Sequence, residues 1–412
     1  MTNDPFHAQR RARAEILHIA EPTDQYVHLS IHLLGPELTA ELLSGREPIG
    51  SKIFRLLEEH GLDAIAQRQL TQALQQRITR WSRRVPKFPL TQELTTAEHL
   101  NAWVAIPEDD DWPQQLSDLG SSAPFALWGR GDRELLSQIT LENSLAVVGS
   151  RDASSYGASA TTHLAGDLAA RGRVVLSGGA FGIDAVAHRS ALATSTAQLP
   201  TVALMACGVD RPYPKHNENL LQAIIDRGLL LSEVPLGQSP TRWRFLQRNR
   251  IIAALSSVVV VVEARWRSGA LNTAHHALEI GRELRTVPGQ IFSPSSEGCH
   301  RLIQQGYAGL ALSADSIEEA MSSRLNPEQT QMSLFADSTE THASPQLTQD
   351  QMRVWDALPL REPMDVTTIC SMTGAAGPAA MVILSQLQGM GMAEKDSNGW
   401  HKSKKYLQQS CP

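Results

Sequence analysis

Cysteine is scarce in this sequence, with four residues among 412 and no two close together. Cys207, Cys299, Cys370 and Cys411 form no CxxC pair, so the sequence indicates neither a disulfide framework nor a zinc site. A reducing cytoplasm therefore suits the chain, and we expect neither a metal nor a cofactor.

Two other features are missing: long apolar runs and an excess of positive charge. No run approaches the roughly 18 apolar residues that span a membrane, and the start of the chain lacks the apolar centre of a signal peptide. We therefore expect no membrane partner. The 37 lysines and arginines are outnumbered by 43 aspartates and glutamates, which gives a net charge of −6. A nucleic-acid site on this chain would have to be a local basic patch.

The centre of the sequence carries two short apolar runs, Leu145–Val148 and Val174–Leu176, which predict neighbouring buried strands. A helical pattern lies between them at Tyr156–Gly172, so the three form a βαβ unit with both strand ends at one edge. Small residues follow each strand, and bare backbone N–H groups there favour an anion. We therefore expect a phosphate-bearing ligand, unless the glycines only form tight turns. The residues concerned are Gly149, Ser150, Arg151, Ser177, Gly178 and Gly179.

Sequence patterns typical of strands alternate with patterns typical of helices from about residue 141 to 321. This alternation predicts an α/β, Rossmann-like core with a doubly wound parallel sheet. We place the core at residues 106–324 and expect its first part, to residue 140, to be a connector rich in turn-forming residues.

The rest of the chain predicts three further segments. Apolar residues at helical spacing indicate an all-helical, SAM-like domain over residues 1–105, whose last helix is Ala97–Val104. Residues 325–348 are polar and aperiodic, which predicts a flexible linker. Residues 349–412 have the pattern of three helices and a hairpin, which indicates a winged-helix module.

Three more stretches follow strands of the core and carry groups that suit a nucleic acid. Tyr213–Asn217 presents a lysine and an asparagine on a loop stiffened by proline. Thr241–Arg250 has four arginines and no acid, with Trp243 and Phe245 among them, and charge beside aromatic rings suits a single strand. The alternative is a solvated charged face whose aromatic rings pack inward. A Ser-Gly pair at 268–269 precedes a helix, where an anion can bind.

The sequence resembles the DNA-processing protein A (DprA/Smf) family through motifs that occur in order over about residues 100–310: VVGSR, SGGAFGID, YPKHN, SEVPLG, FLQRNRIIAALS, VVVVEA, SGALNTA, GRELRTVPG and LIQQG. The resemblance implies a Rossmann-like protein that binds single-stranded DNA, protects incoming DNA and helps to load the RecA recombinase during natural transformation and homologous recombination. It also implies a cytoplasmic homodimer with no established catalytic activity.

The resemblance assigns DNA contacts to individual residues of this chain. Arg151 and Lys215 match phosphate-binding cations of the family, and the backbone of Ser177, Gly178 and Gly179 matches its glycine loop. The other contacts that we expect are Gly149, Ser150, Asn217, Arg248, Asn249, Arg250, Ser268 and Gly269. We expect Asp184 to hold the loop by hydrogen bonds and His188 to pack within a helix.

The sequence departs from the family in places. Phe181 stands where many relatives carry a basic residue, which removes a phosphate contact and offers a stacking face. The N-terminal region lacks a clear Gly-x-Gly hairpin turn, and its basic run at Arg77–Lys87 is either a solvated helix face or a DNA contact. The third helix of the tail, Pro378–Met390, has no lysine or arginine, and a recognition helix without cations reads DNA poorly. We therefore favour a protein contact for the tail.

Two other functions stay open at this point. A phosphoribohydrolase-like enzyme of similar fold needs a glutamate beside its phosphate turn. The matching segment, Ser268–Thr273, has none, and neither Glu263 nor Glu279 has the right spacing. We therefore expect no catalysis. The other alternative is a nucleotide sensor with a mononucleotide in the same groove, which competition between mononucleotides and oligonucleotides would distinguish.

Overall fold

The computed structural model describes residues 6–85, 90–322, 347–360, 363–396 and 399–403. The chain divides into two compact units. The first comprises the described parts of residues 1–17, 89–240 and 244–330, and the second those of residues 18–88, 241–243 and 331–412. The linker predicted at 325–348 lies almost wholly outside the described residues.

Helices and strands alternate through the middle of the chain. The helices are α1 (His7–Ile19), α2 (Gln25–Leu34), α3 (Pro36–Ser44), α4 (Ser51–Glu59), α5 (Ala64–Trp81), α6 (Leu90–His99), α7 (Ser155–Ala170), α8 (Ile183–Thr194), α9 (Glu218–Arg227), α10 (Arg242–Ala254), α11 (Gly269–Glu279), α12 (Glu297–Gln304), α13 (Ala314–Ser322), α14 (Gln349–Ala357), α15 (Val366–Thr373) and α16 (Gly377–Gly389). The strands are β1 (Ala102–Ala105), β2 (Leu127–Gly131), β3 (Ser144–Val148), β4 (Val174–Ser177), β5 (Thr201–Met205), β6 (Leu229–Ser232), β7 (Val258–Val261), β8 (Glu283–Thr286), β9 (Gly309–Leu310), β10 (Ala393–Asp396) and β11 (Gly399–Lys402).

The first unit is built on one sheet, which has nine strands among the described residues, in the order β1-β2-β6-β5-β4-β3-β7-β8-β9. Strands β3 to β9 run parallel, and β2 is antiparallel to both of its neighbours. The strand order reverses direction between β3 and β7, and open α/β sheets bind ligands beside such a reversal. The predicted Rossmann-like, doubly wound sheet is confirmed.

Both faces of the sheet are buried, as the continuous apolar runs predict. Along β3, Leu145 and Val147 pack with α7, α8 and α13, whereas Ala146 and Val148 face the opposite layer with α10, α11 and α12. Strand β7 follows the same alternation, and all four of its valines are fully buried. The core therefore fixes the register of the central strands and, with it, the position of their carboxyl ends.

The predicted helix at Ala97–Val104 is wrong in its second half. Helix α6 ends at His99, and Ala102–Ala105 forms β1 against β2, which lies inside the predicted connector. The Trp103 ring covers Gly129, where a Cβ atom would lie 2.2 Å from it, and the Trp103 indole donates to the Gly131 carbonyl at 2.9 Å. Pairing with a distant strand overrides the local helical spacing here, so residues 1–105 are not all helical.

The second unit joins the helices α2 to α5 with the tail elements α14 to α16 and the β10–β11 hairpin. The three tail helices and the hairpin lie where the sequence predicts them, and their identity as a winged helix stays a prediction. Among the described residues, no single helix is long and apolar enough to cross a membrane. One pair, α15 with α16, bent by 103°, passes that test together by length and composition only.

Candidate nucleic-acid interface

The carboxyl ends of β3, β4 and β5 open onto a shallow pocket in the first unit. Because these strands are parallel neighbours, the segments that follow them lie side by side. The described residues that line the pocket are Arg151, Gly178, Ala180, Phe181, Met205, Ala206, Cys207, Tyr213, Pro214 and Phe245. Three of them are aromatic, one is a cation and none is a carboxylate or a histidine.

Two of the predicted cations are available to a ligand. Arg151 and Lys215 are both exposed, and neither has an ion-pair partner among the described residues. The guanidinium carbon of Arg151 lies 4.6 Å from the centre of the Phe245 ring, within cation–π range. Arg151 therefore lies at the wall of the pocket without a counter-ion.

The aromatic rings at this edge keep exposed faces. The side chains of Phe181 and Tyr213 are 43% and 41% exposed. The Tyr213 ring is tilted against Phe245 with 5.8 Å between centroids, and the Phe181 ring lies 6.0 Å from His216. Such faces can stack on a nucleobase whatever its identity. The sequence indicates Phe181 and the Tyr213 loop, but no pattern in it identifies Met205 and Cys207, which form the apolar floor of the pocket.

The glycine loop is held from behind by buried polar groups. The Gly178 N–H donates to Asp184 Oδ2 at 3.1 Å, and the Gly179 N–H donates to His188 Nε2 at 3.2 Å. The Asn217 amide donates to the carbonyls of Gly179 and Ala180, both at 3.1 Å. These N–H groups are thus engaged within the protein, so the loop shapes the pocket and does not offer the two amides to a phosphate.

The other small residues after β3 and β4 also serve the fold. Ser177 is fully buried, and its hydroxyl donates to the Val147 carbonyl at 2.6 Å. The Ser150 hydroxyl donates to the Asp152 carbonyl at 2.9 Å. A Cβ atom on Gly149 would lie 2.6 Å from Ile183, so only glycine lets α8 pack so closely.

Arg248 lies beneath the pocket and is only 7% exposed. Its guanidinium donates to the Leu204 carbonyl at 2.6 Å. Burial lowers the pKa of Arg248 to about 10, partly offset by Asp184, so Arg248 stays charged at neutral pH. A Cβ atom on Gly178 would lie 1.9 Å from its Nη1, so a side chain there would displace the guanidinium. Arg248 therefore supplies positive potential from below the floor and makes no surface contact.

The charges of the buried groups around Arg248 follow from their surroundings. Burial raises the pKa of Asp184, against the opposing effects of Arg248 and of hydrogen bonds from the loop. Burial, helped by Arg248 and Arg189, lowers the pKa of His188 to about 3. His188 is therefore neutral and accepts from the Gly179 N–H, while its Nδ1 pairs with the Thr201 hydroxyl at 2.7 Å. The expected roles of Asp184 and His188 agree with these contacts.

Asn249 and Arg250 point into the protein. Arg250 makes a bidentate pair with Glu233 at 2.6 and 2.8 Å, and both side chains are at most 5% exposed. Asn249 donates to the Gly269 carbonyl at 3.2 Å and to Asn272 at 3.1 Å. Neither side chain faces a ligand. The many arginines in this stretch predict DNA contacts. Sequence spacing cannot show that one of them pairs with an acid inside the protein.

The Ser-Gly pair lies on the other side of the strand reversal, after β7. Ser268 is the N-cap of α11, where its hydroxyl accepts from the Ala270 N–H at 3.2 Å. Gly269 is exposed at the first turn of that helix. The pair therefore borders the same edge of the sheet, but it does not line the pocket.

The basic run of the second unit is largely neutralised. Arg77 pairs with Asp24 at 2.7 Å, Arg84 pairs with Glu21 at 2.5 Å, and Arg80 pairs with Asp350. These pairs within the unit favour a helix face over a DNA contact for this run, whose last residue, Lys87, lies outside the described residues.

Comparison with known proteins gives consistent matches. A model of the family "DNA recombination-mediator protein A" matches residues 103–322. The putative DNA processing protein DprA of Mycobacterium tuberculosis is 37% identical over 306 residues, which cover 71% of this chain and 75% of that protein. The protein Smf of Escherichia coli K12 is 34% identical over 282 residues, or 66% of this chain and 72% of that one. The X-ray structure of DNA processing protein A from Streptococcus pneumoniae aligns with a TM-score of 0.57 and 30% identity over 74% of this chain and 96% of its own.

Proposed function

Because the chain belongs to the DNA recombination-mediator protein A family, we propose that it binds single-stranded DNA in the pocket at the ends of β3, β4 and β5. Phosphates bind Arg151 and Lys215, and a base stacks against the exposed rings of Phe181 and Tyr213. An unpaired base can present its face to these rings, whereas the bases of a duplex are already stacked inside the helix.

One observation carries this proposal: unpaired, exposed cations stand beside exposed aromatic rings on the surface of an acidic chain. Most charged side chains near this edge are paired or buried, but Arg151 and Lys215 have no acidic partner among the described residues. Charge for the phosphates together with ring faces for the bases is the combination that single strands require.

The pocket supports binding rather than catalysis. Asp184 and His188 are sequestered behind Gly178 and Gly179, so neither of these two groups can act on a ligand as a general base. Cys207 is the one thiol among the described lining residues, and burial raises its pKa to about 11, which makes it a poor nucleophile. The proposal therefore includes no enzymatic activity.

The finer role follows the resemblance to the family. The chain acts in the cytoplasm as a homodimer, protects single strands during natural transformation and homologous recombination, and helps to load RecA onto them. Light scattering tests the dimer, and the rate of RecA filament assembly on strands coated with single-strand-binding protein tests the loading.

The first experiment compares two double variants by fluorescence anisotropy with a labelled oligo-dT and a duplex of equal length, over a salt series. For Arg151→Ala plus Lys215→Ala we expect weaker binding to oligo-dT. The slope of log K against log salt should fall by about 1.4, because a single strand releases about 0.7 counterion per phosphate contact.

The control is Arg68→Ala plus Arg83→Ala, which removes the same charge from exposed positions of the second unit. It should bind like the wild type. Equal losses in both double variants would mean that net charge alone matters, and loss only in the control would move the site to the second unit. Full competition by mononucleotides would favour the nucleotide sensor.

A further inference from the structure

A second aromatic and basic patch lies at the carboxyl end of β7. The segment Arg265–Arg267 carries Trp266, whose side chain is 54% exposed. Arg301 from α12 lies over the indole, with 4.7 Å between its guanidinium carbon and the ring centroid. The Trp266 patch consists of Arg265, Trp266 and Arg301, and it takes no part in the pocket described above.

The Trp266 patch adjoins the loop of Arg151. Arg265 Nη2 lies 3.5 Å from the carboxylate of Asp152, the residue next to Arg151. Behind this contact, the Glu263 carboxylate accepts from the Ser154 N–H at 3.0 Å and from its hydroxyl, which fixes the end of β7 against the start of α7. The patch and the pocket are therefore neighbours on one edge of the sheet.

The chemistry of the patch fits a single strand better than a protein partner. The exposed part of the indole, beside the area that Arg301 covers, can stack on a base. The arginines give a positive surface on a chain whose net charge is negative. The side chains of Arg265 and Asp152 are 52% and 87% exposed, respectively. Exposed pairs contribute little to stability, so Arg265 can exchange Asp152 for a phosphate.

We propose that the Trp266 patch is a second binding site for the same single strand. Trp266 stacks on a base beyond the one in the pocket, and Arg265 and Arg301 contact the phosphates next to it. This inference rests on the proposed function, and it extends the path of the strand from the ends of β3, β4 and β5 past the strand reversal to the end of β7.

The test measures affinity for two oligo-dT lengths. One is about 4 nucleotides long, at the lower end of known single-strand sites and chosen to occupy the pocket alone, and the other is about 15 nucleotides long and chosen to cover the patch as well. For Trp266→Ala we expect affinity for the long oligomer to fall roughly 5- to 150-fold, the loss of one stacked base. Affinity for the short oligomer should not change. Trp266→Phe should keep most of the long-oligomer affinity.

A direct contact is tested by photocrosslinking with an iodouracil placed along the long oligomer. The crosslinked peptide should contain Trp266, and the crosslink should vanish in Trp266→Ala. The matched control is Phe54→Ala, which truncates a ring that is 37% exposed in the second unit, and it should change neither affinity.

Two outcomes would overturn the inference while the proposed function stands. The first is a Trp266→Ala protein that binds the long oligomer like the wild type, with Arg151 and Lys215 still required. The second is an equal loss for both lengths, because Trp266 would then act through the Arg151 loop. If the Arg151 and Lys215 variant binds both oligomers normally, the proposed function itself fails.

Discussion

Burial separates the arginines of this edge into two kinds. Arg248 is fixed under the floor by a carbonyl and by the charge of Asp184, and it cannot follow a ligand. Arg151 is exposed, rests on an aromatic ring and is free to move toward a phosphate. In the proposed function, the long-range field of the fixed cation and the short-range contact of the mobile one act together on the same phosphate.

Acid should weaken the fold through His188. Its pKa is about 3 in the folded protein and near 6.5 when unfolded, so the unfolded state binds more protons between these values. Stability is therefore full above about pH 6.5 and falls as the pH drops, on the order of 3 kcal/mol between pH 7 and pH 4. Urea unfolding over this range should show a steeper loss for the wild type than for His188→Gln.

The comparison with His188→Gln isolates the histidine. Burial raises the pKa of Asp184, so that carboxyl contributes a pH dependence of opposite sign above pH 3.8, and it is present in both proteins. Identical pH profiles for the two proteins would show that His188 gains a proton without cost, contrary to its burial.

At the scale of single elements, the loop between β4 and α8 positions the pocket. It makes its turn at Gly182, where φ is +70° and a Cβ atom would lie 2.2 Å from the Ser150 carbonyl oxygen. The loops after β3 and β4 therefore touch backbone to backbone. No side chain fits between them, and the pocket depends on this close approach.

Gly182→Ala should destabilise the protein more than Gly306→Ala. Both glycines have a positive φ, +70° and +71°, but a Cβ atom on Gly306 would have no neighbour within 4 Å, whereas one on Gly182 meets the Ser150 oxygen. Gly306→Ala should lose about 1–2 kcal/mol from the backbone conformation. Gly182→Ala should lose at least as much, because its ψ of −129° lies outside the left-handed helical region. Gly182→Ala should lose about 1–3 kcal/mol more from the clash. Equal midpoints in urea for the two variants would contradict the close approach.

The sequence predicts the elements of the core well and their partners poorly. Periodicity and β-branched runs indicate β3, β4 and β7 because burial on both faces leaves a local pattern. The glycines after β4 predict a bend. They do not predict that the Gly178 and Gly179 N–H groups donate to Asp184 and His188. The sequence predicts Arg250 as a DNA contact, but in the structure it pairs with Glu233, which is 17 residues away along the chain. The edge strand β1 is not predicted, because local spacing does not show its pairing with β2, which lies beyond a long irregular segment.

At the scale of the whole molecule, the second unit is made from two distant parts of the chain. Glu21 accepts from Arg84 at 2.5 Å and lies 3.4 Å from Arg353, and these three side chains are at most 14% exposed. Burial lowers the pKa of Arg353, and the negative charge of Glu21 opposes this effect. Glu21 therefore stabilises the charged form of Arg353. Arg84 also donates to the Thr373 carbonyl. One carboxylate therefore joins the segment that follows α5 to the tail.

Glu21→Ala should destabilise the second unit by about 3 kcal/mol, because it leaves two largely buried arginines without their shared acid. Limited proteolysis should then cut both residues 18–85 and the tail faster than in the wild type. The control is Glu59→Ala, whose carboxylate is 60% exposed and lies 4.0 Å from Arg55. That variant should change stability by less than about 1 kcal/mol. Similar cleavage rates for the two variants would rule out the joining role.

The division of the second unit has a consequence for synthesis on the ribosome. Residues 18–85 are made early, but the segment that holds Thr373 and Arg353 emerges only after the whole sheet of the first unit has been translated. The Rossmann-like core can fold while the chain is still attached. The arginines of the early helices and Glu21 reach their final neighbours only after the tail is made, so in a nascent chain the strand-end edge of the core is exposed before the two parts of the second unit have joined.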